Sequence, residues 1–503
     1  MDFDVSTKKV FCLENSEEKK AVLPVECSMI LPDYFPDVMK ILRYTAKTVK
    51  SPVFSENGTD TVSGNVNIEV NYVSEEGELC SCSQLQPFSH SFESAPNTAM
   101  AEAEIKVGEI GCRAINKRRI DLHGSIEILL RTLCGEEKNF VSAISGAGAV
   151  CREKTEEITV PVGDFYKTFS LDEKGELGYG KPHFGKVIRS SAFAKVTECH
   201  VIQDKIVTKG EVKVDVLWKG EPEGENDETG PFLSCFSFPV SRMVDAPGIL
   251  LTDICDAGYS AEFPEVSPAD DGQNVSIKVK IGIFARAYRK TFAEYITDMF
   301  SCEYETKAEK EPLSVIKEAV PVSLTENIFE KLELPESVEK VTDIWAETSD
   351  PFLTTEGKIA FETKICMFAE DGDGDPLYFE KKIEKEISSP VIGKNAVFYN
   401  ISAETDSCEF SLGRDKTAEI SASVLIDGTV YVSKNENAIS FCAVETDKAV
   451  LKENAAVILC FAEKGEQLWD IAKRYRSPMG KIMEENGLSN EVLSEKTMLV
   501  ISR

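Results

Sequence analysis

Three aspartates separated by single residues form the most cation-like segment of the sequence. Asp371, Asp373 and Asp375 could offer carboxylate oxygens, the ligands that Ca²⁺ prefers. An EF-hand loop also needs Gly at its sixth position and Glu at its twelfth, and those positions hold Pro376 and Lys382. We therefore interpret the segment as a solvated acidic turn and predict no metal site.

Cysteine and histidine occur together at two places where zinc binding or nucleophilic catalysis has to be considered. Cys80, Cys82 and His90 are close in sequence, but no second Cys/His pair follows at the spacing of a zinc site. Cys199 and His200 are adjacent, and adjacent residues of a strand point to opposite faces. We expect buried or edge thiols at the first place and no nucleophile–base pair at the second.

Sequence motifs of known enzyme classes are missing. Gly175, Gly178 and Gly180 form a glycine-rich stretch, yet it lacks the preceding strand and following helix of a phosphate-binding loop. Gly-x-Ser-x-Gly, Walker and His-Glu-x-x-His motifs do not occur. We predict a protein without enzymatic activity and without a cofactor.

The charge balance limits the classes of partner. Lys and Arg number 56 and Asp and Glu number 86, which gives a net charge of −30. Such a chain lacks the basic surface that nucleic acids and anionic lipids require, so we expect neither as a partner. The longest apolar runs are too short for a transmembrane segment, and the N-terminus lacks the features of a secretory signal. The 15 cysteines are therefore interpreted as reduced, cytoplasmic thiols.

A repeated pattern of strands must position any site in the first 450 residues. Gly64, Gly210 and Gly357 stand 146 and 147 positions apart, and each precedes four residues at alternate positions that are mostly apolar. Alternation with a period of two predicts a half-buried strand. A Pro-Val start, a polar Gly-rich turn and a late proline recur in the same order around each glycine. Such recurrence predicts three copies of one β-rich unit.

We predict a mainly β fold, in which three tandem β-sandwich-like repeat units precede a small α+β domain. The predicted ranges are an N-terminal leader at 1–18, units at 19–150, 151–312 and 313–452, and a C-terminal domain at 455–503.

The C-terminal fifty residues carry a sharper pattern. Leu468, Ile471, Ala472 and Tyr475 fall on one face of a helix, and a strand-like apolar run precedes them. A second helix is predicted after Ser477, taken as its N-cap, and before Gly487, taken as its C-terminal cap. A closing apolar run completes the order β-α-α-β.

This C-terminal segment resembles a LysM domain. The positions that match the family pattern are Gly465, Leu468, Trp469, Ile471, Ala472, Tyr475, Asn486, Leu499 and Ile501. Glu466, Gln467 and Lys496 replace residues that are usual in the family. The resemblance implies a shallow groove for N-acetylglucosamine-containing glycans or a partner protein. Its loops would hold Gly465, Glu466, Gln467, Leu468, Trp469, Asn486, Gly487 and Leu488.

A short basic run ends the first predicted helix. Lys473, Arg474 and Arg476 lie where the helix dipole favours cations, which is the simpler interpretation. The alternative is a small basic contact for an acidic partner protein.

The three repeat units resemble the SPOCS domain, and their combination with one LysM domain is similar to the SipL-like spore coat assembly proteins. The resemblance implies a non-enzymatic scaffold of spore coat or envelope morphogenesis, in the mother-cell cytoplasm at the forespore surface. Its LysM domain would bind the coat basement-layer ATPase or another coat protein. The first alternative is a cell-wall or cortex protein that binds peptidoglycan, and the second is a cell-wall hydrolase with a binding tail.

Overall fold

The computed structural model describes residues 3–221, 229–269, 274–388, 395–413, 415–449 and 457–502. The chain is mainly β, and within these ranges its two helices both lie in the C-terminal domain. The predicted fold class is therefore confirmed. Neither of these helices has the length and apolar character needed to cross a membrane.

Within the described ranges, twenty-one strands precede the C-terminal domain and fall into three successive groups. The first group is β1 (Asp4–Ile30), β2 (Val38–Thr48), β3 (Val53–Glu56), β4 (Thr59–Ser74), β5 (Leu79–Glu93), β6 (Thr98–Asn116) and β7 (Arg119–Ser145). The second is β8 (Ala149–Glu176), β9 (His183–Ile202), β10 (Lys205–Glu221), β11 (Phe232–Asp245), β12 (Ile254–Ala261), β13 (Glu265–Pro268) and β14 (Asn274–Ser301). The third is β15 (Tyr304–Glu333), β16 (Lys340–Thr348), β17 (Phe352–Leu353), β18 (Lys358–Glu370), β19 (Pro376–Ser388), β20 (Ala396–Leu412) and β21 (Thr417–Ala449).

Each group is built in the same way. Its long first strand pairs antiparallel with its long last strand, as β1 with β7, β8 with β14 and β15 with β21. Three or four of its shorter strands form a second sheet around a central strand, which is β4, β10 or β18. The remaining short strands, which are β6, β12, β13 and β20, pair with the long last strand of their group. Apolar side chains of the two sheets pack against each other, since each strand turns one face inward.

The long strands cross three of the predicted boundaries, since β8 already begins at Ala149, two residues before the predicted start of the second unit. Residues 4–18, which the sequence analysis assigned to a leader, are the first half of β1 and pair with residues 131–145 of β7. Residues 304–312, assigned to the second unit, begin β15 and pair with β21. These polar ends carry no strong alternation, so their strand character depends on a partner strand more than 100 residues away.

The three marker glycines lie in two different environments. Gly64 and Gly210 are the sixth residues of β4 and β10, where an added Cβ would lie within 2.4 Å of Ser51 Oγ and 2.1 Å of the Lys195 carbonyl oxygen. Gly357 instead precedes β18, in a turn with φ +77°. The expected equivalence therefore holds for two glycines only, although all three segments contribute to the central strands.

The far halves of the three long ribbons pack together, and we call this part the stem. It comprises residues 4–13 with 135–145, 149–158 with 291–301, and 304–316 with 433–449. One apolar cluster draws on all three groups, with Val10 and Phe140, Ile158 and Tyr295, and Leu313 and Ala438 among its members. The stem is thus a core shared by the whole array.

Buried ion pairs also join the groups. Arg189 of β9 donates from Nε and Nη2 to Asp343 Oδ2 of β16, at 3.0 and 2.8 Å. Arg43 of β2 donates to Glu347 Oε1 at 2.6 Å, and both guanidinium groups lie against the ring of Trp345. Removing either partner would leave a charge buried, so these contacts fix how the groups pack.

The C-terminal domain has the predicted order, as β22 (Val457–Ala462), α1 (Leu468–Tyr475), α2 (Met479–Asn486) and β23 (Thr497–Ser502). Gly487 caps α2 with φ +64°, as expected. The predicted N-cap is wrong, because Pro478 occupies that position with ψ 132°. Ser477 is buried and its hydroxyl donates to the Ser502 carbonyl instead.

Candidate functional site

Two loops of the C-terminal domain lie side by side and form one surface. The first connects β22 to α1 and turns at Gly465, which has φ +87°. The second connects α2 to β23. The Gly465 N–H donates to the Leu493 carbonyl at 2.8 Å, the Leu493 N–H to the Glu466 carbonyl at 3.1 Å, and the Leu468 N–H to the Glu491 carbonyl at 2.8 Å. These backbone bonds hold the two loops in a fixed relation.

Five of the eight predicted site residues reach this surface. Gly465, Gln467 and Gly487 are exposed, and Glu466 and Leu488 are partly exposed. These five residues border the surface on which a ligand would lie.

Leu468 belongs to the core and not to the surface. It has no exposed area and packs with Ile471, Ile482 and Leu499. Leu468 follows the loop directly and is the first residue of α1, and the helix directs its side chain into the core. Leu468 therefore supports the site by holding the first loop against the domain.

Asn486 ties the end of α2 to β23. Its Nδ2 donates to the carbonyls of Ile482 at 2.8 Å and Val500 at 2.7 Å, and its Oδ1 accepts from the Val500 N–H at 2.6 Å. Because its polar atoms are engaged in this way, Asn486 fixes the second loop and is not free to bind a ligand.

The residues that depart from the family pattern form a charged rim. Glu466 accepts from the Glu463 N–H at 3.1 Å and from Arg474 Nη2 at 3.0 Å. Lys496 pairs with Glu463 at 2.5 Å. The hydrogen bond to Glu466 raises the pKa of Arg474. Glu466 thus cross-links the first loop to α1 and places a carboxylate at the edge of the surface.

Trp469 faces the stem. Only 4% of it is exposed, and its ring centroid lies 5.4 Å from that of Phe300 in an edge-on arrangement. Its Nε1 donates to Asp298 Oδ2 at 2.8 Å, and Lys473 Nζ lies 2.8 Å from both oxygens of the same carboxylate. The predicted role of Trp469 in contacting an outside ligand is therefore replaced by an internal contact.

The carboxylate of Asp298 is the centre of this contact. Burial alone would raise its pKa, but the hydrogen bonds from Lys473 and Trp469 hold the pKa of Asp298 below its usual value. Arg476 adds a second anchor, since its guanidinium bonds to the carbonyls of Ser301 and Tyr304 and pairs with Glu305 at 2.9 Å. The stem thus holds α1 by two acidic positions.

The basic run at the end of α1 is explained by these contacts. Lys473 and Arg476 bind acidic residues of the same chain, and Arg474 binds Glu466. Sequence reasoning missed Asp298, Phe300 and Arg152, which donates to Gln467 Oε1 at 3.2 Å. They lie about 170 to 320 positions before their partners, and no local pattern connects them.

The outer face of the β22–β23 sheet is a second exposed surface. Val457, Leu459, Phe461 and Met498 are each more than half exposed, and Phe461 and Met498 are opposite each other in the pairing. We call these four residues the apolar face.

The other candidate constellations do not assemble. Asp371 Oδ1 accepts the N–H groups of Asp373 and Asp375 and so closes its own turn. Cys82 lies against Met29 Sδ at 3.8 Å, while His90 stacks edge-on with Phe92 at 4.7 Å. Within the described ranges, no group of three potential metal ligands is formed.

Comparison with known proteins identifies one part of the chain. Neither curated proteins nor solved structures gave a match. A family model described as the LysM domain matches residues 463–502, which contain both loops. The chain therefore carries a LysM domain at residues 463–502, a domain that indicates binding of peptidoglycan or a related carbohydrate.

Proposed function

We propose that this protein is a non-enzymatic scaffold of the spore envelope that attaches to N-acetylglucosamine-containing glycan through its LysM loops. The observation that carries the proposal is the orientation of the LysM domain. Helix α1 is fixed to the stem by Trp469 and Arg476, while Gly465, Gln467 and Gly487 remain exposed. A domain held in this way presents its loops at the end of a large β array.

The array has the features of a structural part. The three groups of strands share the stem core, and the Arg189–Asp343 and Arg43–Glu347 pairs join them through buried charges. Buried charge pairs are costly to break, since one partner is then left without compensation. These buried pairs support a role in which the array is a rigid spacer between attachment points.

The non-enzymatic part of the proposal has support from the placement of reactive residues. Cys199 lies beside Cys255, whereas His200 is exposed and lies 3.5 Å from Glu198. The two halves of this candidate pair therefore face different surroundings.

The LysM loops suit a sugar polymer. A Cβ added at Gly465 or Gly487 would meet no atom within 4 Å, so the space beside both glycines is open. Sugar recognition uses a few fixed polar groups on such an open surface, and Gln467 and Glu466 supply side-chain oxygen atoms at its edge. Glycan binding is therefore the chemistry we assign to the loops.

A second candidate function uses the apolar face. Val457, Leu459, Phe461 and Met498 are exposed together on one face, and contiguous exposed apolar side chains are a feature of protein contacts. A spore coat protein, such as the basement-layer ATPase of SipL-like systems, is the partner that the SPOCS and LysM resemblance suggests. In this function the protein works in the mother-cell cytoplasm at the forespore surface.

Co-sedimentation of the full chain with purified peptidoglycan tests glycan binding through the loops. We expect the chain to sediment, and Gln467→Trp to abolish sedimentation, because this change places bulk at an exposed position of the first loop and alters no capping glycine. Phe461→Ser is the matched control on the apolar face and should sediment like the native chain. Loss of sedimentation in Phe461→Ser alone, or no sedimentation of the native chain, would refute glycan binding through the loops.

The second candidate is tested by capture of coat proteins from sporulating cells with the same three proteins. Capture that depends on Phe461, and not on the loops, would support the protein contact on the apolar face. Capture that is unchanged in Phe461→Ser would refute it.

A further inference from the structure

Two cysteines of the second group lie on the neighbouring edges of its two sheets. Cys199 is on β9, the edge strand of the sheet ordered β11-β10-β9, and Cys255 is on β12, the edge strand of the sheet that contains β14. Their Sγ atoms are 2.8 Å apart. A disulfide bond of about 2.05 Å therefore needs the two sulfurs to approach by only about 0.8 Å.

The two cysteines belong to an apolar cluster that includes Val201, Ile206 and Ala287. Both cysteines are only partly buried, so a small oxidant can reach them.

We propose that Cys199 and Cys255 are a site of oxidative cross-linking, at which a hydroperoxide joins the two sheets of this group by a disulfide bond. The Cys255 thiolate attacks one peroxide oxygen, the O–O bond breaks, and Cys255 becomes a sulfenic acid, while the departing oxygen takes up the proton that Cys255 released and leaves as water or an alcohol. The Cys199 sulfur then attacks the Cys255 sulfur, its proton passes to the departing oxygen, and water leaves. With hydrogen peroxide, two thiols lose two electrons and one peroxide is reduced to two waters.

The order of attack follows from the contact between the thiols. The hydrogen bond with Cys199 lowers the pKa of Cys255, whereas the same hydrogen bond and then burial raise the pKa of Cys199. Cys255 is therefore the thiol that ionises first and Cys199 the thiol that resolves the sulfenic acid.

Because β9 and β12 belong to different sheets, no ladder of backbone hydrogen bonds joins these two edges. The disulfide bond would join them covalently. Unfolding of the second group would then have to occur with residues 199 and 255 still joined, which reduces the freedom of the unfolded chain. The cross-link is independent of the glycan-binding function proposed for the LysM loops.

Peptide mapping of the full chain tests the proposal. The reduced protein is treated with one equivalent of hydrogen peroxide, blocked with iodoacetamide and digested with trypsin without reductant. We expect a linked species of peptides 196–205 and 243–278, lighter by two hydrogen atoms than the separate peptides, and a melting temperature higher by about 5 °C.

Matched variants separate this site from general thiol oxidation. Cys199→Ser and Cys255→Ser should each remove the linked species and the rise in melting temperature. Cys235→Ser, at an exposed cysteine of the same group, should leave both unchanged. Full and independent alkylation of Cys199 and Cys255 in the peroxide-treated native protein would overturn the proposal, as would their linkage to other cysteines in place of each other.

Discussion

Replacing Asp298 by alanine should release the LysM domain from the stem. The carboxylate accepts the Trp469 Nε1–H at 2.8 Å and pairs with Lys473 at 2.8 Å and Lys310 at 3.3 Å. Loss of the acceptor leaves a buried indole N–H without its hydrogen bond, which costs about 1–3 kcal/mol. The partly exposed Lys473 pair adds up to about 1 kcal/mol. The contact should therefore weaken by about 3 kcal/mol, or roughly 100-fold.

Tryptophan fluorescence measures this release directly. The chain has three tryptophans, and Trp218 and Trp345 are buried far along the sequence from the LysM domain. In Asp298→Ala, acrylamide should quench a new fraction of the emission from Trp469, and hydrogen exchange in residues 468–475 should accelerate. Glu305→Ala removes a half-exposed carboxylate at the same contact and serves as the control with a small effect. Native quenching and exchange in Asp298→Ala would show that the stem does not hold the domain through this carboxylate.

Three further predictions concern stability. Glu404 lines a cavity of about 570 Å³ between the three groups, where burial and then the neighbouring carboxylates of Asp350 and Asp427 raise its pKa to about 8. Between about pH 4.5 and 8 the folded chain holds a proton on Glu404 that the unfolded chain releases, so the free energy of unfolding should fall as pH rises through this range. Glu404→Gln should flatten this fall in denaturant titrations. Equal slopes for the variant and the native chain would refute the assignment. Asp343→Ala strands the Arg189 guanidinium and should cost about 3–5 kcal/mol in urea unfolding, whereas a cost below about 1 kcal/mol would mean that the pair is not buried. Leu468→Ala should destabilise the LysM domain by about 2–5 kcal/mol in thermal unfolding, while the neighbouring exposed Gln467→Ala should change little; equal effects would contradict the burial of Leu468.

The LysM domain could be predicted from the sequence because its signals are local. The spacing of Leu468, Ile471 and Ala472 fixes one face of α1, and Gly487 marks the end of α2. Ser477 was misassigned because a Ser-Pro pair is typical of a helix start, while the partner of its hydroxyl, the Ser502 carbonyl, lies 25 positions later. Local pattern thus predicts the elements and misses contacts made at a distance.

The central strands of the three groups were also predictable, since alternation identifies a half-buried strand. Gly357 was misaligned because a spacing of about 147 positions can match a strand glycine to a turn glycine when loop lengths differ. Residues 4–18 are polar and irregular, so their pairing with β7 depends on the stem and has no local signature. The same is true of Asp298 and Phe300, whose role is defined only once the LysM domain is placed against them.

Hydrogen exchange of the full chain, with and without an N-acetylglucosamine oligomer, tests the central claim most directly. The loops at 463–468 and 487–493 should gain protection when the oligomer binds, while the contact at 298–305 and the strand at 457–461 should keep their exchange rates. Protection confined to 457–461, or no protection anywhere in 457–502, would contradict glycan binding through the loops of a LysM domain held on the stem.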